Sequence, residues 1–224
     1  MNPLEKAIMI NNEGVHRLNF GNISGALHAF QSAVVVMKEA AVSHAEYPAL
    51  PNDRNDCSLW GVEPRPGNLV GLQNEHCYVF TRPLLIPTDV KISTPEELDS
   101  FVLTSSAIVI FNFALASHQF GNISGQQAPL RRAGRLYDLT LKILVRGENH
   151  YHHMHAILQC LALNNLAQLC YDQCDYAKSQ TCIETMYDLV ATTDCLDSHL
   201  NEHEAAEIML NIVHLQPPTV ARAA

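Results

Sequence analysis

Residues 8–37 read IMINNEGVHRLNFGNISGALHAFQSAVVVM, and the five letters GNISG at 21–25 stand again, unchanged, at 121–125. Ile10, Gly14 and Leu18 recur at fourfold spacing before the first copy, and Ala26, Phe30, Ala33 and Met37 follow it at spacings of three and four. Both are helical periods, so the phrase separates two helices. Gly21 supplies the left-handed conformation that ends one helix, and Ser24 is the expected cap of the next. The competing reading, a phosphate-cradling loop, requires a preceding strand and a Lys after the last glycine. Neither copy has them. The phrase is therefore read as an inter-helical turn in both places, with Gly121 at the second.

Residues 48–95 hold seven of the eleven prolines, together with Gly61, Gly67 and Gly71. No long helix persists through such a stretch. It is an insertion, and within it residues 77–86, CYVFTRPLLI, are β-rich and expected to pair with 58–62, SLWGV, as a small hairpin. Helical signals resume at Thr94-Pro95-Glu96-Glu97, a capping box with Pro at the first helical position, and that helix is expected to run to about His118. Pro129 belongs in the first turn of the following helix, which must then start several residues later than its counterpart after the first GNISG. A third pair occupies 151–172 and 175–193, joined at Gln173-Cys174-Asp175, and a seventh helix runs from Glu202 to Leu215 before Pro217-Pro218.

Three helix pairs with small and aromatic residues at fixed offsets resemble the tetratricopeptide repeat family. In the first pair the resemblance rests on Asn12, Gly14, Gly21, Ala26, Phe30 and Ala33. In the third, LNNLAQLCYDQCDYAKSQTCIETM (163–186), it rests on Asn165, Leu166, Ala167, Asp175 and Tyr176, with Ser179, Ile183 and Met186 departing from the usual alanine and aromatic pattern. The middle pair keeps Asn112, Phe113, Ala114 and Gly121, and Ala133 and Tyr137 fit if the turn has grown. The resemblance implies an all-α superhelix, a tetratricopeptide-like solenoid of three helix pairs plus a C-terminal capping helix. The expected layout is one domain over 1–224: pair 1 at 4–42, the Pro-rich insertion with its hairpin at 43–94, pair 2 at 95–147, pair 3 at 151–193, and the cap at 199–215.

It also implies a non-catalytic protein-binding scaffold, with a groove lined by Asn11, Val15 and Asn19, by Phe111, Leu115 and Gln119, and by Asn164, Gln168 and Asp172. Chaperone-binding members carry cations at such places to clamp a terminal carboxylate. None of these nine is a cation, so a carboxylate clamp is not expected. Phe111 and Leu115 make their helix apolar nearly all round, and such a helix has to be covered on every side. Either the insertion folds over the groove or a partner does, and the insertion is the favoured cover.

Arg131, Arg135, Lys142 and Arg146 fall within about 60° of one another on one helix at roughly 100° per residue. The plain reading is a solvated face balanced by the acidic stretch 172–207, which has nine acids against Lys178 alone. The sharper one is a docking stripe for an acidic protein segment, or for head-to-tail self-association. The histidines at 150–155 and His199 and His203 have helical spacing, but neither group carries the H-E-x-x-H pattern of a zinc site, and the alternative of a metal-dependent enzyme is carried on them alone. No nucleophile elbow is present, Cys160, Cys170 and Cys182 fall on core positions, and no catalytic residue, metal ligand or cofactor is assigned.

Net charge −9 argues against nucleic acid as a partner. The longest apolar run, 101–116, is broken by polar residues and is shorter than a membrane span requires, so it reads as a buried helix. Seven cysteines without knuckle spacing, and no secretory pattern at the N-terminus, favour a cytoplasmic setting, the nucleus being the other compartment left open. The sequons at Asn22 and Asn122 are then accidental.

Overall fold

The computed structural model describes residues 2–44, 79–146, 152–192, 200 and 202–215. Among them are seven helices and no strand: α1 (Pro3–Asn19), α2 (Ile23–His44), α3 (Pro95–Ser124), α4 (Gln127–Arg146), α5 (His152–Asp172), α6 (Tyr176–Thr192) and α7 (Glu202–His214). The dominant contacts are within the hairpins α1/α2, α3/α4 and α5/α6, and each hairpin packs on the next through α2/α3 and α4/α5. The first helices also meet, α1 on α3 and α3 on α5, so that α3 is surrounded. It is the one described helix long and apolar enough to cross a membrane, and most of that stretch is buried inside the protein.

Local sequence sets the boundaries. Asn2-Pro3-Leu4-Glu5 and Thr94-Pro95-Glu96-Glu97 both form complete capping boxes with Pro at the first helical position. At the first GNISG, Gly21 has φ 76°, Gly21 N–H donates to Leu18 O (3.0 Å) and Asn22 N–H to Arg17 O (2.9 Å), the paired bonds of a Schellman ending. The cap of α2 is Asn22, whose Oδ1 accepts from Gly25 N–H (2.9 Å), and not the expected Ser24.

The second GNISG behaves differently. α3 does not end near His118 but continues through Gly121 to Ser124, and the left-handed residue is Gly125, with φ 66°. Pro129 explains the shift, because a helix begun at Ile123 would place it past the first turn, where its ring and missing N–H break the ladder. α4 starts at Gln127 instead, with Pro129 in its first turn as the sequence required. Gly121 serves packing: a Cβ there would sit 2.4 Å from Leu130 Cδ2, just as one on Gly14 would sit 2.6 Å from the Phe30 ring.

The lengthening keeps register. Asn12 precedes Ala26 and Phe30 by 14 and 18 residues, whereas Asn112 precedes Ala133 and Tyr137 by 21 and 25. The difference of seven is about two helical turns shared between the two arms, so the alanine and the aromatic face inward in both hairpins. All four of these side chains are fully buried.

The third turn repeats the first with a different residue. Cys174 takes φ 61°, Cys174 N–H bonds Tyr171 O and Asp175 N–H bonds Cys170 O, both at 2.9 Å. An L side chain is strained in this conformation by about 1–2 kcal/mol. Cys174→Gly is expected to stabilise the chain by about 0.5–1 kcal/mol after the glycine's larger unfolded-state entropy is allowed for, and Gly21→Ala to destabilise it by about 1 kcal/mol. Urea unfolding of the two variants beside wild type measures both.

Candidate functional site

Residues 79–87, the described end of the insertion, run extended across the layer of first helices. Of the expected hairpin, 58–62 and 77–78 lie outside the described residues. The rest, 79–86, is not a strand: its main chain is bonded to side chains. Extended backbone presents the N–H and C=O of residues i and i+2 on the same edge, where a neighbouring strand would normally take them. Here an asparagine carboxamide, itself a copy of the peptide group, takes both from a single residue.

Three helices each supply one. On α1, Asn12 Oδ1 accepts from Ile86 N–H (3.0 Å) and its Nδ2 donates to Ile86 O (2.7 Å). On α3, Asn112 Oδ1 accepts from Leu84 N–H (2.8 Å) and Nδ2 donates to Leu84 O (2.7 Å). On α5, Asn165 Oδ1 accepts from Phe80 N–H (2.8 Å) and Nδ2 donates to Phe80 O (2.9 Å). These asparagines stand nine residues before Gly21, Gly121 and Cys174 respectively, so their register is common to all three first helices even though the middle turn has moved. The extended segment crosses the helices in the order α5, α3, α1, against the order of the chain.

Side chains complete the seat. Phe80, Leu84 and Ile86 are buried, and the Phe80 ring lies 6.3 Å from that of Phe111, which in turn lies 5.9 Å from Tyr137. Gln119 Nε2 donates to Thr81 O (3.1 Å). Arg82 forms a two-pronged pair with Glu204 of α7, Nε to Oε1 at 3.0 Å and Nη2 to Oε2 at 2.9 Å, with its guanidinium 5.6 Å from the Phe80 ring centre. Burying three large apolar side chains contributes about 6 kcal/mol, and the six asparagine bonds about 6 more. Ordering the backbone of these nine residues costs roughly 9–18 kcal/mol, a range that brackets those contributions, so the segment sits near balance.

The asparagines are themselves held. Asn112 Nδ2 donates to Asn11 Oδ1 (3.0 Å), and Asn11 Nδ2 to Asn12 Oδ1 (3.2 Å). Asn211 of α7 donates to Asn164 Oδ1 (2.7 Å), Asn164 to Asn165 Oδ1 (3.1 Å), and Asn165 Nδ2 also reaches Tyr137 Oη (3.1 Å). Burial pushes the Tyr137 phenol well above its ordinary range, so it stays neutral. His118 Nδ1 lies 3.5 Å from that hydroxyl, and burial lowers the His118 pKa from 6.5 to about 4.

Of the groove residues expected from the sequence, Asn11, Val15, Phe111, Leu115, Asn164 and Gln168 are all buried in this conformation, and so is Gln119, whereas Asn19 and Asp172 are exposed. Asn11 reaches the segment weakly, at 3.4 Å to Leu84 O, and Asn164 meets its described part through Asn165. Gln168 turns to Asp172 (2.9 Å). The residues that grip the main chain are each one position further along. Sequence reasoning placed them in the repeat pattern without assigning them to the groove. The signal was there in their shared distance from the turn and in a polar residue set within apolar helices.

The stripe residues Arg131, Arg135 and Lys142 are exposed on α4, and the side chain of Arg146 lies outside the described residues. Among the described residues, an ion pair of the opposite polarity joins this pair of helices to the next, Asp138 of α4 with Lys178 of α6 at 2.7 Å. The side chains of His152 and His153, and all of His150 and His199, lie outside the described residues. His155 turns inward to Thr104 Oγ1 (2.8 Å), and His203 is exposed beside Glu207 at 3.6 Å. Among the described residues no three His, Cys, Asp or Glu side chains gather as metal ligands. Burial pushes the thiols of Cys170 and Cys182 up to about 11 and about 12, so neither is a ready nucleophile.

Comparison of the chain with protein-family models, with curated proteins and with solved structures returns no match.

Asn112→Ala leaves the N–H of Leu84 without a partner in a buried place and its C=O with the weak 3.4 Å bond from Asn11, and is expected to cost about 3 kcal/mol. Asn112→Asp should cost at least as much at neutral pH, since a carboxylate accepts from Leu84 N–H but has nothing to donate to Leu84 O. Urea midpoints measure both. Because folding lowers the His118 pKa, the unfolded chain takes up the proton first as pH falls through 6.5, and the folded state is penalised until about pH 4. Between those limits His118→Leu should lose about 3 kcal/mol less stability than wild type, as read by urea unfolding across the range.

Proposed function

We propose that this chain is a non-catalytic protein-interaction module of the tetratricopeptide-like kind, which holds an extended polypeptide segment by its main chain along α1, α3 and α5. The observation that carries the reading is the set Asn12, Asn112 and Asn165, each matching the N–H and C=O of one residue of an extended segment. Such a device recognises the conformation every polypeptide shares, and it leaves selectivity to the apolar seats between the asparagines. Nothing in it is arranged for bond making. Buried asparagines do not titrate, and the one fully buried histidine in the site is kept neutral down to about pH 4.

A second surface is favoured by charge. Arg131, Arg135 and Lys142 stand exposed on one face of α4, with no ion pair to any described residue, in a chain of net charge −9. That stripe suits an acidic partner segment, and the whole reading places the protein in the cytoplasm as an adaptor.

Affinity capture from lysate, read by mass spectrometry, tests the proposal with three forms: wild type, the chain with Arg131, Arg135, Lys142 and Arg146 all changed to Glu, and Asn112→Ala. Loss of particular partners by a variant whose circular dichroism remains helical supports it and tells groove from stripe. An identical set retained by all three, or stoichiometric metal in the purified protein by elemental analysis, would overturn it in favour of a metal-dependent protein.

A further inference from the structure

We infer that residues 79–87 are a resident competitor for the groove, and that the partner is a segment of the same chemistry: aromatic or large apolar, then basic two residues on, then apolar at the fifth and seventh positions. The inference rests on the proposed reading of the groove and gives it both a ligand class and a regulatory element.

The ligand class follows from what each seat demands. N–H groups are asked for at the places of Phe80, Leu84 and Ile86, which excludes proline from the first, fifth and seventh positions. Pro83 and Pro87 occupy places where no asparagine looks for a donor, so the fourth and eighth positions accept it. Phe80, Leu84 and Ile86 fill apolar seats, whereas Leu85 is exposed and its position carries no requirement. The third position faces Glu204, whose side chain is only 11% exposed, so a cation there is matched and an anion is repelled. The net charge of −9 draws basic segments from a distance.

Competition follows from the balance of the segment and from its ionic fastening to α7. The pair Arg82–Glu204 is the only ion pair between 79–87 and the helices among the described residues, and it ties the segment to α7, the last element of the array. Being part of the same chain, the segment has an effective concentration on the order of millimolar. A separate peptide competes poorly while Arg82 is paired and well once it is not. A second copy's 79–87 is the other candidate occupant, and it would show itself as a dimer.

The test uses the full chain labelled with 15N and an unlabelled, end-blocked peptide VFTRPLLIP, observed through the amide signals of Phe80, Leu84 and Ile86. Addition of peptide is expected to move these three signals to those of free extended chain, with half-displacement in Arg82→Glu at a peptide concentration at least tenfold below that in wild type. A peptide carrying Glu in place of its Arg should compete at least tenfold less well, and should regain its effect against Glu204→Arg. Arg82→Gln, which removes the charge without reversing it, serves where the charge reversal perturbs folding. Unmoved signals in a folded Arg82→Glu or Arg82→Gln chain at millimolar peptide would make the segment a permanent part of the fold and overturn the inference. A concentration-dependent dimer in sedimentation, without displacement by peptide, would overturn it as well. Either result beside partner capture that still depends on the stripe or on Asn112 leaves the module reading standing, so the two failures are told apart.

Discussion

An extended segment laid across helices, with no neighbouring strand among the described residues, leaves the N–H and C=O groups of its buried residues in need of partners, and much of the described structure meets that demand. Each orphaned pair costs far more unmet than it contributes when met. Asparagine is the side chain that answers it, because its carboxamide carries one donor face and one acceptor face at the spacing of a peptide unit. Aspartate lacks the donor, and leucine of similar size lacks both. Three asparagines in one register on α1, α3 and α5 convert a layer of helices into something that behaves as the edge of a sheet.

The demand then spreads outward. A carboxamide free to turn would lose the match, so Asn11, Asn164, Tyr137 and Asn211 hold the three in place through further hydrogen bonds. The last of these belongs to α7, which also carries Glu204 for Arg82. α7 therefore steadies the third asparagine through Asn164 and fastens the segment through Glu204. The same network accounts for Asn112 and Gln119 inside α3 and for Asn164 and Asn165 inside α5, each bonded to the segment or to another member.

Much of this was legible in the letters. Capping boxes, the helical period around GNISG, and the restriction imposed by Pro129 are local effects, and they placed the helices to within a few residues. The expected ending of α3 failed because identical letters were given identical roles: at 121–125 the first glycine answers to the close approach of Leu130, and only Pro129, four residues past the second glycine, decides where the chain turns. The hairpin expectation falls largely on residues outside those described, and its described part, 79–86, forms no strand for a related reason. Alternation in CYVFTRPLLI reports that a segment is extended and buried on one face, but not what meets its backbone, and here that partner lies on three helices far away in sequence. The asparagines that meet the segment stand one position beyond the residues expected to line a groove, for the same cause. Which face of a helix meets an extended segment depends on the rotation of each helix in the stack, which no single helix encodes.

The seven extra residues of the middle hairpin point to a rule about which lengths this architecture tolerates. An arm grown by one residue swings its aromatic knob about 100° out of its socket, and one grown by two swings it about 200°, whereas three or four residues bring it back to within about 60° of where it began. Growth shared between two arms is thus forgiven in steps near seven and punished in between. By this geometry the hairpin tips tolerate changes of length in quanta, and the middle hairpin differs from the first by one.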